Sequence, residues 1–463
     1  MSVSSPRSLA LGILLANQRA DRPLDELIER QASRITQSRD RALVMELVYG
    51  VLRRQEPIDW RLGAILSKPL HRLPSIVQMV LRLGAYQILF LDRIPPSAAV
   101  NQAVELAKAS AKQLGRDWSG LVNGVLRNLI RMPAPSLPDP STHPAEWLSL
   151  TYGIPGWLTV RWLDRMGMEQ AESACRATST VPGLTVRVNR CHLTREDFLK
   201  RLQEAGVEAH SAAVSPLGVV VDKGPDVTSL PGFRTGDFYV EDEAAQLIPP
   251  ILEPLPGDVI LDACAAPGGK ATHLAELLGD RGTIIAIDQS ASRLDLLREN
   301  CLRLRLQSIV PVVGDVKQPT QWTRLLAWNH DQPDIPTSFD RILVDAPCSG
   351  LGVLRRHPEA KGLKSESSLT RHQKLQRDIL ESVAPTLRPG GVLVYSTCST
   401  ETEETEEVVC RFCATSPGWT RESVAPWLPP TALQFVTDRG ALSTLCNSVG
   451  MDGFYAVRLR KKE

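Results

Sequence analysis

No stretch of this sequence approaches the roughly 20 consecutive apolar residues that a membrane-spanning helix needs. The apolar run Leu9 to Ala16 is short and lacks a small-residue cleavage site. Leu24, Leu27 and Ile28 continue a helical pattern after it, so a helix of a cytoplasmic protein is expected there rather than a signal peptide. The nine cysteines are odd in number and scattered, which argues against a disulfide framework and fits a reducing compartment. The dinucleotide fingerprint G-x-G-x-x-G is missing, which disfavours a nicotinamide redox enzyme. Internal repeats and low-complexity segments are missing too.

Net charge is also nearly absent, at +1 over 463 residues, but this balance hides an asymmetry. Residues 1–131 hold 19 Lys and Arg against 11 Asp and Glu, whereas the remainder holds 34 against 41. A basic module joined to an acidic body suggests that the first holds a polyanion and the second works on it. The chain is too long for one core, and two or three domains are expected.

Residues from Ser5 to Met132 keep helical spacing throughout, as in Leu43, Leu47, Val48 and Val51. The proline-rich stretch from Pro133 to Pro140 reads as an extended linker. A mixed segment follows, with strands at Leu184–Asn189 and Leu217–Val221 and an amphipathic helix at Arg195–Ala205. Aromatic platforms for base stacking are scarce in it. From Asp237 onward strands and helices alternate as a doubly wound sheet requires. The expected organisation is an all-α bundle over 1–140, a small α+β module over 141–236 and an α/β Rossmann-like domain over 237–463.

Two cysteine motifs dominate the last domain. Asp345-Ala346-Pro347-Cys348 follows the apolar run Arg341–Val344, and Ser396-Thr397-Cys398-Ser399 follows Val392–Tyr395. Fifty positions separate the cysteines, room for one helix and a turn. On neighbouring strands, both thiols and Asp345 would meet at the carboxyl edge, where such sheets bind ligands. Two thiols and a carboxylate suit the task of making a pyrimidine ring carbon nucleophilic. A strand at Val259–Asp262 runs into Cys264, Ala265, Ala266, Pro267, Gly268, Gly269 and Lys270, a small-residue turn that lets backbone N–H groups approach a nucleotide. Asp288 ends the next strand, placed for ribose hydroxyls, and Asp315 follows the third, suited to an adenine amine.

These residues resemble the signatures of S-adenosylmethionine-dependent RNA cytosine-5 methyltransferases. The likeness extends through Tyr239–Ala244, Arg355-Arg356-His357-Pro358, Leu81–Gln87 and Val122–Arg127. That combination is similar to the bacterial 16S ribosomal RNA methyltransferases of the Sun/Fmu family, whose N-terminal domain resembles the antitermination factor NusB. The chain departs from the family pattern at Gly362, where tryptophan is expected, and at Thr405, where asparagine is expected. The stretch Gln332–Pro336 reads as an insertion.

The resemblance implies 16S ribosomal RNA as partner, S-adenosylmethionine as methyl donor, and a monomer acting away from membranes. It implies that Cys398 attacks the cytosine, Cys348 assists release, and Asp345 binds the cytosine edge near the donor. Cys264–Lys270, Asp288, Asp315 and Asp345 would hold the donor. Arg355, Arg356 and His357, near Cys348, are expected to hold RNA phosphate or close over the active site rather than to form a merely solvated basic turn. Locally, Thr400-Glu401-Thr402-Glu403 reads as a capping box opening a helix from Glu401 to Phe412, whose positive end would favour a Cys398 thiolate. The acidic run Glu401, Glu403, Glu404, Glu406 and Glu407 works against this, and most of these side chains are expected to point into solvent. Cys410 and Cys413 have zinc-like spacing but no second pair, so no metal is expected. A transfer-RNA methyltransferase of the same chemistry and a non-catalytic RNA-binding or antitermination factor are the alternatives. Intact Cys348, Cys398 and Asp345 weigh against the second.

Overall fold

The computed structural model describes residues 5–19, 24–32, 35, 37–318, 338–445 and 450–463; the insertion expected at Gln332–Pro336 lies outside them. The chain divides into two compact units, Met1–Thr180 with Leu354–Lys364, and Val181–Val353 with Ser365–Glu463.

The first unit is helical. Its opening helix, Pro6–Gln18, starts where the Ser5 side chain accepts from the Ser8 N–H, and buries Leu9, Ile13 and Leu14 along one face. The central helix Ser75–Phe90 is buried over most of its surface, which demands close neighbours. Gly50 and Gly84 provide them: a Cβ at Gly50 would lie 2.0 Å from the Tyr86 ring, and one at Gly84 2.5 Å from Leu126. Arg82, buried in this helix, donates to both carboxylate oxygens of Asp59, at 2.7 and 2.6 Å. The helices Pro144–Tyr152 and Gly156–Ser179 belong to this unit, so the all-helical part continues past the expected boundary at 140. Gly153 explains the docking: a Cβ there would lie 2.4 Å from the Arg53 carbonyl oxygen. Residues 354–364 join the same unit, with Lys361 Nζ donating to the Gly153 carbonyl at 2.9 Å and Arg53 Nη2 to the Arg355 carbonyl at 3.1 Å.

The second unit holds two sheets. The smaller is antiparallel, in the order β2 (Glu208–Ser211), β3 (Gly218–Lys223), β1 (Leu184–Val188), β4 (Phe238–Val240), with the helix Arg195–Glu204 against it. Its fourth strand lies beyond the boundary expected at 236. Phe238 packs on Phe198 in the small core, and Val240 pairs with Val186, so these residues complete the small sheet before the large one begins.

The larger sheet runs β10 (Trp419–Glu422), β12 (Tyr455–Lys461), β9 (Leu387–Thr397), β8 (Phe339–Asp345), β5 (Val259–Asp262), β6 (Thr283–Asp288), β7 (Ile309–Val313), with β11 (Leu442–Ser443) beside β12. β5 to β9 are parallel, and β12 and β10 are antiparallel additions. Alternate strand residues serve two cores: Ile260, Ala286, Leu343 and Val394 on one face, Leu261, Ile285, Val344 and Leu393 on the other. Strands buried on both faces read as continuous apolar runs, which is why the sequence marks them so clearly. The order reverses between β5 and β8, so the loops after these strands flank a crevice at the carboxyl edge.

Candidate active site

Asp345 ends β8 in register with Ser396 of β9, and the two cysteines follow three and two residues later. The expected convergence is therefore realised, with Cys348 Sγ and Cys398 Sγ 3.1 Å apart. Gly352 permits the loops to approach: its N–H donates to the Cys398 carbonyl at 2.9 Å, and a Cβ there would lie 1.9 Å from the Gly453 carbonyl oxygen. Asp345 accepts from Ser396 Oγ at 2.8 Å and from Lys270 Nζ at 2.7 Å. Burial disfavours charge on Lys270, but Asp345 outweighs it, and the Lys270 pKa lies above its ordinary value. Cys348 differs from an ordinary thiol. Its hydrogen bond to Cys398, its burial and the nearby Glu404 carboxylate push its pKa well up, so Cys348 holds its proton.

The loop after β5 is drawn tight by backbone bonds, Ala263 N–H to Leu343 O and Ala265 N–H to Ile287 O, both 2.9 Å. Gly268 has φ +111°, and a Cβ there would lie 2.4 Å from Leu297, so only glycine fits. Cys264 lies within this loop. Burial beside Asp262, Asp345 and Asp288 drives its thiol pKa well up. Asp288 orders the same loop, accepting from Ala266 N–H at 3.2 Å and Ser290 N–H at 2.9 Å. Asp315 accepts from Lys317 N–H at 3.0 Å after β7.

Two expectations fail around Cys398. The helix does not start at Glu401; a single 3-10 turn at Thr402–Glu404 comes first, and the helix spans Glu406–Thr415. Thr405, at φ −122° and ψ −105°, breaks the run, leaving the helix N-terminus eight residues past Cys398. Nor does most of the acidic run face solvent: Glu401 and Glu404 are fully buried and Glu403, Glu406 and Glu407 half-buried. Glu404 turns its carboxylate inward to accept from Ser349 and Ser399, and Glu406 pairs with Arg421. Arg355 is buried in the first unit and is no solvated turn.

Sequence reasoning missed Arg187. This fully buried β1 side chain pairs with Glu241 and with Glu276 at 2.8 Å, and donates to the Gly269 carbonyl at 2.9 Å and Thr272 Oγ1 at 3.1 Å. It fastens the small sheet to the helix that opens after the glycine loop. An arginine inside an apolar strand, Leu184-Thr185-Val186-Arg187-Val188, was the available signal. A polar cavity of about 550 Å³ in the first unit, lined by Gln55, Glu56, Arg82 and Lys361 among others, contains none of the candidate catalytic or donor-binding residues.

The crevice fits a cationic nucleoside. Asp262 is buried, and no side chain among the described residues hydrogen-bonds its carboxylate. Burial, with Asp345 and Asp288 nearby, pushes its pKa up to about 7. A sulfonium and an ammonium group would relieve such crowding of carboxylates. A parallel sheet reversing between β5 and β8, with a glycine loop and strand-end acids at that point, is the arrangement of a nucleoside-binding α/β domain.

Three family models match the chain: the 16S rRNA methyltransferase RsmB/F over residues 249–460, the NusB family over 4–131, and the RsmF/B-like ferredoxin-like domain over 154–228. A probable ribosomal RNA small subunit methyltransferase B of Bacillus subtilis is 34% identical, covering 100% of this chain and 100% of its own. The ribosomal RNA small subunit methyltransferase B of Pseudomonas syringae is 36% identical over 99% of this chain and 97% of its own. A crystal structure of a methyltransferase homologue from Pyrococcus horikoshii is 26% identical, covering 70% of this chain and 100% of that one, with a TM-score of 0.57. The crystal structure of PH0851 shares the fold at a TM-score of 0.81 over 100% of this chain and 99% of that one, with 23% identity. The chain belongs to the ribosomal RNA small subunit methyltransferase B family and is an RNA methyltransferase that uses S-adenosylmethionine.

Proposed function

We propose that this protein methylates carbon 5 of a cytosine in 16S ribosomal RNA through a covalent adduct with Cys398. The observation that carries the reading is the 3.1 Å approach of two cysteine sulfurs beside Asp345. Attack by the Cys398 thiolate on carbon 6 breaks the ring's aromaticity and places an electron pair on carbon 5. Bound S-adenosylmethionine supplies an electrophilic methyl group, and Cys264–Lys270, Asp288, Asp315 and Asp345 would hold it. Asp345, fixed by Lys270 and Ser396, is positioned to bind the cytosine edge. Release requires a base to take the carbon-5 proton while the carbon–sulfur bond breaks and its electrons return to Cys398.

The raised pKa of Cys348 supports the division of labour. A thiol that keeps its proton is a poor nucleophile but can donate to the neighbouring sulfur and assist its departure. The substrate assignment rests on the full-length likeness to small subunit methyltransferases, including the NusB-like domain. The nine scattered cysteines support a cytoplasmic setting. Bisulfite sequencing of RNA from cells with and without the protein tests the reading. One 16S cytosine should lose its protection when the protein is removed. Loss confined to transfer RNA would replace the substrate, and no loss would remove the chemistry.

A further inference from the structure

We propose that Glu404 is a positioning residue for methyl transfer, a buried clamp that sets the spacing of the two cysteine loops. This rests on the covalent reading above and extends it to a residue outside both cysteine motifs.

Glu404 is fully buried, and both carboxylate oxygens are occupied. Its Oε1 accepts from the Ser349 N–H at 2.7 Å and from Gln376 Nε2 at 3.2 Å. Its Oε2 accepts from the hydroxyls of Ser349 and Ser399. Ser349 directly follows Cys348 and Ser399 directly follows Cys398, so one rigid carboxylate grips the chain next to each sulfur. Gln376, from the helix Glu366–Val383, also donates to the Pro347 carbonyl at 3.0 Å, on the other side of Cys348. The clamp is itself anchored. Tyr395, in the strand leading to Cys398, donates its hydroxyl to the Glu404 carbonyl at 2.6 Å.

A buried carboxylate is costly unless hydrogen-bonded, and four donors offset that cost here. Three of those bonds fix two loops that no strand pairing constrains. Reacting groups must be held to within a fraction of an ångström, and a displacement of about 1 Å can cost about 100-fold in rate. The Glu404 charge has a second consequence, since it helps keep Cys348 protonated.

The test measures how fast RNA becomes covalently attached to Cys398 when release is blocked. Cys348→Ala should accumulate a denaturant-resistant adduct. Adding Glu404→Ala should slow its formation about 100-fold while S-adenosylmethionine affinity stays unchanged. Glu404→Gln keeps the acceptor facing Ser349 N–H and Gln376 and presents an amide to two hydroxyls that can turn to accept, so it should recover most of the rate. Should Glu404→Ala fail to fold, Ser349→Ala with Ser399→Ala removes two donors and should slow the adduct in the same sense. An unchanged rate in a folded Glu404→Ala or double-serine variant overturns the clamp but leaves the covalent reading intact. No adduct from Cys348→Ala alone overturns the covalent reading, and the clamp's catalytic role with it.

Discussion

Replacing Arg187 by methionine should destabilise the second unit severely, and more so at high pH. The arginine side chain is fully buried, as is that of Glu276, while Glu241 is 6% exposed. Methionine fills much of the volume but leaves two carboxylates buried without their cation. Breaking a buried ion pair in this way costs about 3–5 kcal/mol. Burial already raises the Glu276 pKa, and only Arg187 opposes it strongly; without Arg187 that pKa climbs further. Below the unfolded carboxyl pKa of about 4.5 both states are protonated and the charge penalty vanishes. As pH rises above that value the folded state still holds protons the unfolded chain has released, so stability falls. Urea unfolding of Arg187→Met should therefore show a modest deficit at pH 5 and a large one at pH 8. Adding Glu241→Gln and Glu276→Gln should remove most of the pH dependence. A deficit below about 1 kcal/mol at pH 8, or one equal at both pH values, would refute the buried-triad account.

Other parts of the chain give equally direct expectations. Asp288→Ala should weaken S-adenosylmethionine binding by about 1.5–3 kcal/mol in calorimetry, the worth of a hydrogen bond to a charged acceptor; unchanged affinity would remove the ribose assignment. Exposed Arg127 and Arg131 lie on the basic N-terminal bundle, and reversing both to glutamate should lower RNA affinity and flatten its dependence on salt. An unaltered salt slope would give the bundle another role. Burial lowers the Lys361 pKa to about 7, against 10.5 unfolded. Between those values the unfolded chain binds the extra proton, so stability of the first unit should rise with pH from 7 toward 10.5. Lys361→Met should abolish that rise in urea midpoints.

The large sheet and the cysteine pair were legible because the chemistry is local. Apolar runs such as Ile342-Leu343-Val344 mark strands buried on both faces, and Asp345 or Cys398 falls where the run stops. What escaped depends on distant partners. The strand Glu208–Ser211 carries polar, largely exposed residues and exists because β3 pairs with it. Phe238–Val240 looks like a lead-in to the catalytic domain until its pairing with Val186–Val188 is known. Nothing local in the segment after Arg355-Arg356-His357 shows that Lys361 is buried against the Gly153 carbonyl, about 200 positions away in sequence. Five glutamates within seven positions read as a solvated helix start, since nothing local reveals that Ser349 and Ser399 draw Glu404 inward.

The most direct measurement is a denaturing gel of labelled 16S RNA incubated with S-adenosylmethionine and each cysteine variant. Cys348→Ala should trap RNA covalently, because attack by Cys398 proceeds and release stalls. Cys398→Ala and the double variant should form neither adduct nor methylated product. An adduct from Cys398→Ala would exchange the two roles, and normal methylation by both single variants would contradict covalent catalysis at this site.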